Sequence, residues 1–192
     1  MQTSGLTKNA SAPQVSADII TALRDIPVAL LSDNMQRSRG SVGLTPYHKP
    51  ASLAGTAVTV LTRGGDNLAI LRAFEFCRPG DVMVIDGAIR DVAEIRERTF
   101  PIYARGINHR GPYKDGPGAI NVSVTVGGMV VHPGDLIVGD QDGLLAFAPG
   151  TARALIEKAE SQRIREEATM EAMRAGRWDR SFIDALEARC SN

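Results

Sequence analysis

Four short strand patterns, separated by turns, occupy residues 120–148. Each pattern is rich in Val, Ile and Leu. The separators are Gly-Gly, Pro-Gly-Asp and Asp-Gly, which supply the backbone freedom that tight turns require. A meander of this kind buries at least one face of its strands against another layer. This part of the chain is therefore predicted to form a sheet.

Two further strand patterns precede the meander. Residues 55–62 contain a β-branched run, which is typical of a strand. Residues 82–85 are an uninterrupted apolar run of strand length, which predicts a strand covered on both faces. The turn residues Arg-Pro-Gly-Asp stand directly before this second strand.

Helical periodicity lies on both sides of these strands. The spacing predicts helices over residues 17–24, 28–37, 67–77, 92–98 and 182–188. In the third of these, Leu68, Leu71 and Phe74 fall on one face. A long, highly charged helix is predicted from residue 151 to residue 175, with a thin apolar stripe. Such a helix is expected along the surface or against a neighbouring subunit.

The order of these elements predicts one α/β domain with helical additions. Residues 1–16 are polar and are predicted to form a flexible tail. Residues 17–150 are predicted to form the α/β core, and residues 151–192 a C-terminal helical extension.

The composition excludes several classes of protein. The chain has 22 basic and 22 acidic residues, so no net field draws it to nucleic acid or to an anionic membrane. Its longest aliphatic runs are far too short to span a bilayer. Cys77 and Cys190 lie far apart and form no motif, which predicts a reducing, cytoplasmic compartment. Neither a nucleic-acid partner nor a membrane partner is expected.

Common catalytic motifs are absent from the sequence. There is no P-loop, dinucleotide fingerprint, His-Glu-x-x-His helix or nucleophile elbow. None of the four lysines lies in an apolar segment that would lower its pKa for Schiff-base chemistry. A covalent lysine aldolase is therefore not expected.

Arg90 and Asp91 stand out, at the junction between the apolar strand and the following helix. A guanidinium presents a planar fork of donors that suits a carboxylate or an enolate oxygen. A neighbouring carboxylate suits a hard divalent cation or the water bound to it. The alternative is that Asp91 caps the helix and Arg90 forms a surface ion pair. Spacing alone leaves both interpretations open.

Several separate motifs resemble one family in the order in which they occur. They lie at residues 65–69, 79–82, 87–96, 100–106, 116–118, 131–135, 140–143 and 174–179. The chain resembles the class II pyruvate aldolases typified by 4-hydroxy-4-methyl-2-oxoglutarate aldolase. That family is related to the regulator of ribonuclease activity A proteins and was formerly misnamed as demethylmenaquinone methyltransferases. The likeness extends over residues 17–188.

The resemblance implies a fold, an assembly and an activity. The fold is a β/β/α sandwich resembling the phosphohistidine swivelling domain, with N-terminal helices and a long C-terminal helix. Homotrimers or homohexamers are implied, with active sites between subunits. The implied activity is divalent-metal-dependent cleavage of a 4-hydroxy-2-oxo dicarboxylic acid to pyruvate, together with decarboxylation of oxaloacetate. The alternative is a non-catalytic oligomeric binding protein, like the ribonuclease regulators.

The resemblance also implies roles for particular residues. Asp91 would hold Mg²⁺ or Mn²⁺, through water in part. Arg90 would bind the pyruvyl carboxylate of a 2-oxo acid substrate and stabilise the developing enolate. A glutamate from the C-terminal helix of a neighbouring subunit would complete the site, with Glu166 as the best match and Glu167 as the next.

One departure from the family pattern lies beside this pair. In the family, a Gly-Gly-Asp-type loop, a helix and another strand separate the first apolar strand from the Arg-Asp pair. The backbone N–H groups of that loop hold the pyruvyl carboxylate. Here Asp86 runs directly into Gly87, as though a unit of roughly 30 residues were missing. Three explanations are open: an omission from the gene sequence, a degenerate member without aldolase activity, or a different means of gripping the carboxylate.

A basic loop follows the candidate pair. Residues 105–118 are rich in Gly and Pro and include Arg105, Arg110 and Lys114. Such a loop could receive an anionic substrate, and the alternative is an ordinary solvated surface loop.

Overall fold

The computed structural model describes residues 5–37 and 40–190, and the side chains at positions 184, 185, 188 and 190 lie outside that description. The strands are β1 (Leu6–Lys8), β2 (Thr45–Pro46), β3 (Leu53–Thr62), β4 (Asp81–Ile85), β5 (Tyr103–Ala104), β6 (Gly118–Ile120), β7 (Val124–Val126), β8 (Met129–Val131), β9 (Leu136–Gly139) and β10 (Leu144–Phe147). The α-helices are α1 (Ala17–Arg24), α2 (Val28–Asn34), α3 (Leu68–Ala73), α4 (Val92–Arg96), α5 (Ala152–Arg174) and α6 (Ser181–Cys190). A 3-10 turn, Pro149–Thr151, precedes α5.

Strand β3 organises the main sheet, whose order is β1-β6-β3-β9-β10. The beginning of β3 pairs antiparallel with β9, and its end pairs antiparallel with β6. Strand β4 pairs with β3 in the parallel direction, from Thr56 opposite Asp81 to Val60 opposite Ile85. The predicted α/β class is confirmed.

Three helices cover one face of the sheet. Helices α1, α2 and α5 pack on β9 and β10 in a cluster in which Leu23, Leu31 and Leu136 are fully buried. Leu136 and Val138 point to this helical face, whereas Ile137 points to the opposite face, as the period of a strand requires. Each fully buried side chain of this size contributes about 1.5–3 kcal/mol through the hydrophobic effect.

The hairpin of β7 and β8 covers part of the opposite face. Val124, Val126 and Val131 of the hairpin pack against Ile137 and Ala146 of the sheet. The molecule therefore has a helical layer, a sheet and a second, smaller β layer. The specific likeness to a phosphohistidine swivelling domain stays a prediction.

The N-terminal segment differs from the flexible tail predicted for residues 1–16. Residues 1–4 lie outside the described part. Leu6–Lys8 form β1, which runs parallel to β6. Beyond it, Gln14 donates hydrogen bonds to Pro79 O and Asp81, and the backbone N–H of Val15 donates one to Thr56 Oγ1 at 3.0 Å. A polar composition did not reveal these contacts because they are made mainly by backbone and amide groups.

The first two helices follow the sequence pattern closely. Helix α1 has the predicted bounds, but α2 ends at Asn34 instead of residue 37. Gln36 and Arg37 have φ values of 59° and 51°, which a right-handed helix cannot contain.

The face of α3 that carries its large apolar residues is not its buried face. Leu71 and Phe74 are exposed, whereas Ala69 and Ala73 are buried. The helix lies very close to β6, because a Cβ atom on Gly118 would come within 2.6 Å of Ala69 Cβ. Only small side chains fit this contact, whereas hydrophobicity alone would favour burial of the larger Leu71 and Phe74.

The prediction that residues 82–85 form a strand covered on both faces is wrong. Of this strand only Val84 is buried, and β4 pairs with β3 alone among the described strands. The strand lies at the edge of the sheet because the chain leaves it at Asp86 without supplying a neighbour.

The long C-terminal helix is confirmed as α5, within a residue of each predicted bound. Its first half is anchored by Leu155 and Ala159, whereas Ile164 and Met173 in its second half are exposed. None of the described helices is long and apolar enough to cross a membrane. Cys77 is a half-buried free thiol whose pKa burial raises, and the side chain of Cys190 lies outside the described part.

Candidate functional site

The segment that carries Arg90 and Asp91 is held by backbone hydrogen bonds to the basic loop. Gly87 O accepts from the N–H of Arg105 at 3.1 Å, and the N–H of Ile89 donates to Gly106 O at 3.0 Å. These bonds keep residues 87–89 parallel to residues 105–108. The candidate pair therefore emerges from a fixed piece of backbone.

Asp91 adopts a left-handed backbone conformation, with φ 58° and ψ 33°. Asp and Asn tolerate this conformation better than most residues. Its carboxylate makes no capping hydrogen bond to α4; its backbone oxygen accepts instead from Glu94 and Ile95. The side chain is 73% exposed. The capping alternative is therefore wrong, and the carboxylate faces solvent.

Arg90 is paired with its neighbour. Its Nε lies 3.4 Å from Asp91 Oδ2, and one of its terminal nitrogens lies beside Gly111. The surface ion pair of the alternative interpretation is thus present. At this exposure the attraction is weak, so the guanidinium can exchange this contact for an arriving carboxylate.

The structure does not bring Glu166 to this pair within one protomer. The carboxylate of Glu166 accepts a hydrogen bond from Gln162 at 2.8 Å, and Gln162 also bonds to Asp33 and Asn34 of α2. Glu167 accepts one from Arg163 at 3.1 Å. Gln162 thus holds Glu166 near α2 of its own protomer, whereas Glu167 pairs along α5.

The donor set for a metal is small. Among the described residues, no group of three or more His, Cys, Asp or Glu side chains could hold a metal ion. A single exposed carboxylate still fits Mg²⁺, because this ion keeps several waters and uses one or two protein carboxylates plus substrate oxygens. Asp91 fits this limited role, whereas an all-protein cage is not formed within the protomer.

One cation of the basic loop is already bound. Arg105 forms a two-point ion pair with Asp86, and its Nη2 lies 2.9 Å from Asp86 Oδ2. The hydrogen bond and charge of Asp86 raise the pKa of Arg105. Arg105 therefore fastens the loop to the end of β4. Substrate contacts by Arg110 and Lys114 stay a prediction.

Asp66 is a structural carboxylate whose importance the sequence did not reveal. Its side chain is fully buried and accepts hydrogen bonds from the backbone N–H groups of Leu68, Asp115 and Gly116 at 2.9–3.0 Å. Burial alone would raise the pKa of Asp66, but these hydrogen bonds outweigh it and keep the pKa below its ordinary value. In the sequence, Asp66 only precedes the helix predicted over residues 67–77. The loop around residue 115 was not predictable as the partner of its carboxylate.

An apolar cavity of about 690 Å³ lies beside the pair. One wall is β4 and the other is the segment of residues 99–104. Ala88 and Ile89 line the end nearest Arg90. Sequence reasoning missed this cavity because it placed β4 in the interior.

A family model described as RraA-like, Aldolase/RraA, matches residues 28–87 and 83–146. The chain belongs to the RraA-like family. This membership supports either an aldolase or an RraA-like regulator.

A curated RraA-like relative gives the same assignment. The chain is 34% identical to a protein of Halalkalibacterium halodurans named "Putative 4-hydroxy-4-methyl-2-oxoglutarate aldolase". The match covers 83% of this chain and 90% of the relative.

Solved structures show the RraA-like fold. A protein of Pseudomonas syringae pv. tomato superposes with a TM-score of 0.75 at 20% identity, covering 88% of this chain and 95% of that chain. Streptomyces coelicolor RraAS2, titled an unusual member of the RNase ES inhibitor RraA protein family, superposes with a TM-score of 0.73 at 22% identity. That match covers 83% of this chain and 99% of RraAS2.

The two segments that the family model matches overlap at the end of β4. Residues 83–87 belong to both segments that the family model matches. The alignment with the Halalkalibacterium relative is 193 positions long, but only 83% of this 192-residue chain takes part in it. About 34 positions of the alignment therefore have no counterpart in this chain. Both observations fit a strand–helix–strand unit missing between Asp86 and Gly87, which stays a prediction.

Proposed function

We propose that this protein is a cytoplasmic, divalent-metal-dependent aldolase that cleaves a 4-hydroxy-2-oxo dicarboxylic acid to pyruvate. The observation that carries the proposal is the presentation of Arg90 and Asp91 side by side on a left-handed turn, with both side chains open to solvent. The name of the curated relative supports the same activity.

Arg90 and Asp91 have different roles in the proposed reaction. Asp91 would hold Mg²⁺ or Mn²⁺, directly or through bound water. When bound, the ion supplies a Lewis acid for the 2-oxo oxygen of the substrate. Arg90 binds the pyruvyl carboxylate through its fork of donors and places positive charge beside the enolate that forms as the carbon–carbon bond breaks. Oxaloacetate decarboxylation passes through the same enolate.

The grip on the substrate carboxylate rests on Arg90 in this chain. In the resembling family a glycine-rich loop shares that task, and its counterpart is absent from the sequence between Asp86 and Gly87. We therefore expect weaker substrate binding than in a member that has both. Arg90→Lys keeps the charge but loses the fork, and it should raise KM more than it lowers kcat.

The test is a pyruvate-release assay on the intact chain, with Mg²⁺ and with EDTA. Asp91→Asn is the sharpest variant, because Asn also tolerates the left-handed conformation and removes only the charge. Glu94→Gln is the matched control, since it removes a nearby exposed carboxylate of α4 that pairs with Arg98. Mn²⁺ binding, followed by electron paramagnetic resonance, separates metal affinity from turnover.

We expect activity that EDTA abolishes, loss of Mn²⁺ binding in Asp91→Asn and little change in Glu94→Gln. Full activity in Asp91→Asn would exclude the metal role. Metal-independent turnover would exclude the class II mechanism.

We further propose that the active enzyme is a homotrimer or homohexamer in which a neighbour supplies Glu166. Glu166 accepts a hydrogen bond from Gln162 of its own helix and is not brought to Arg90 and Asp91 within one protomer, so a glutamate at that place would have to come from a second subunit. Light scattering should give three or six chains. Glu166→Gln should lower kcat without dissociating the assembly, and Glu160→Gln on the same helix is the control.

A non-catalytic regulator is the second candidate. About 34 alignment positions without a counterpart in this chain favour it, as does the similarity of the fold to RraAS2. The two candidates differ in one measurement. An oligomer that binds a protein partner but releases no pyruvate from any 4-hydroxy-2-oxo dicarboxylic acid is the regulator.

A further inference from the structure

The second edge of β4 has no partner among the described strands. Thr56 N–H bonds to Gly80 O, so the alternation of the strand directs the backbone groups of Met83 and Ile85 away from β3. Their N–H and C=O groups therefore point to the open edge. Main-chain groups of a sheet edge are a template for a further strand.

A fixed wall stands opposite this edge. Residues 99–104 line the far side of the cavity, and β5 within them pairs with β2, not with β4. Nδ1 of His48 lies 3.0 Å from both the backbone nitrogen and the backbone oxygen of Ile102. The hydroxyl of Tyr103 donates to Asp140 O at 2.8 Å. These contacts hold the wall from behind, so it does not collapse onto β4.

The two walls meet at one end. There the backbone of Gly87 and Ile89 bonds directly to Arg105 and Gly106, and the Asp86–Arg105 ion pair closes the junction. At residues 81–85 the walls are separated by the cavity. We call this space the strand lane. Its apolar lining includes Leu44, Val82, Met83, Phe100, Ile102 and Leu144.

The family comparison indicates what fills the strand lane in relatives. Residues 83–87 belong to both segments that the family model matches, and the alignment with the relative has about 34 positions without a counterpart here. The retained segment after Asp86 pairs with residues 105–108, as the end of a second strand would. The strand lane is therefore the space that the beginning of this second strand would occupy.

We propose that the strand lane binds an extended apolar peptide of about five residues, supplied by another protein and lying beside β4. Its length follows from the five residues of β4. Main-chain bonds to Met83 and Ile85 would provide affinity, and the apolar walls would select side chains. A second copy of β4 does not fit, because its own β3 is attached along its other edge and would meet the wall at residues 99–104. This binding does not depend on the proposed aldolase activity.

The test uses the intact protein and a labelled peptide that repeats residues 82–87, preceded by two lysines for solubility. This sequence is chosen because residues 83–87 belong to both segments that the family model matches. Fluorescence anisotropy should show saturable binding. A control peptide with proline in place of the residues equivalent to Met83 and Ile85 lacks two N–H donors and should bind about thirtyfold more weakly.

Two tryptophan variants locate the binding on the protein. Ala88→Trp places an indole at the lane without removing a core side chain, whereas Ala93→Trp puts the same group on the exposed surface of α4. The first should weaken binding about tenfold or more, and the second should leave it unchanged. In hydrogen exchange, the peptide should slow exchange at the amides of Met83 and Ile85 by about tenfold or more.

Three results would overturn the proposal. One is the absence of saturable binding by the peptide. Another is equal affinity for the peptide and its proline control, or for Ala88→Trp and Ala93→Trp. The third is concentration-dependent protection of Met83 and Ile85 without peptide, which would mean that a second copy of this chain already covers the edge.

Discussion

The two flanks of the sheet are held by different forces. On the flank of β9 and β10, apolar side chains of three helices interlock, and Leu23, Leu31 and Leu136 have essentially no exposed surface. On the flank of β4, the apolar walls stand apart and only Val84 of the strand is buried. Polar contacts made by Tyr103 and by the Asp86–Arg105 pair connect the loops there, and Asp66 connects the start of α3 to the loop before β6.

The difference shows that an apolar strand does not by itself create a core. Residues 82–85 of β4 and the whole of β9 are uninterrupted runs without a polar side chain, yet only β9 has neighbours on both edges and both faces. Whether a strand is buried depends on the strands and helices that pack around it. A flank without such neighbours depends on specific hydrogen bonds, which makes it more sensitive to pH than to side-chain volume.

The largest expected effect is in the apolar flank. Val138→Ala in β9 removes two methyl groups from a site with 1% exposure. We expect the free energy of unfolding to fall by about 2.5 kcal/mol, from lost burial and from the cavity that remains. Urea denaturation measures the change. A loss below about 1 kcal/mol would mean that this flank relaxes to fill the space.

The next effect concerns the polar contacts. Asp66→Asn should lower the free energy of unfolding by about 2 kcal/mol at pH 7, because the amide presents a donor to backbone N–H groups that need an acceptor. The folded pKa of Asp66 lies below its ordinary value of 3.8, so its stabilisation is present above that value and is lost as the pH falls through the folded pKa. The wild type and the variant should therefore converge in acid. Curves that stay parallel down to pH 2 would contradict this role for the carboxylate.

A smaller effect is expected at Tyr103, at the back of the strand lane. Tyr103→Phe removes the hydrogen bond to Asp140 O and should cost about 1 kcal/mol. Burial, with a smaller effect from Asp140, raises the pKa of Tyr103 to about 12. Because a raised folded pKa gives stability that is complete below the unfolded value, the wild type should lose stability as the pH rises from about 10 to about 12. Phenolate absorbance follows the titration, and ionisation near pH 10 in the folded protein would contradict the burial.

The smallest effect is expected at β4, where the same substitution can be repeated. Val82→Ala removes the same two methyl groups as Val138→Ala, but from a side chain that lines an open cavity. We expect a loss of about 0.5–1 kcal/mol, because less surface is buried and no new enclosed cavity forms. Equal losses in the two variants would remove the contrast between the flanks.

Patterns local to the sequence predicted most of the fold. Helix α1, strand β3 and helix α5 lie within a few residues of their predicted bounds, because periodicity and turn residues act over short distances. Which face of α3 is buried was not predictable from the helical spacing, since the proximity of Gly118 in space decides it. The contacts of residues 5–16 were missed for the same reason: their partners are distant in sequence.

The candidate site was partly visible in the sequence. Arg90 and Asp91 were found because adjacent residues stay adjacent in any fold, and their exposure was then a matter of local backbone. The burial of Asp66 and the cavity beside β4 depend on how separate segments meet, which no spacing reports. The relation of Glu166 to the site is a question of assembly, beyond the contacts of a single chain.

The double match at residues 83–87 also bears on how proteins tolerate loss of sequence. Side chains on a strand alternate between faces, so an excision that joins two dissimilar strand ends can invert every downstream side chain. When both strand ends have the same short sequence, the junction between them preserves the alternation of side chains, whatever the length of the excised segment. At repeated short sequences of this kind, a gene can lose a whole structural unit by deletion while the side chains that follow keep their orientation.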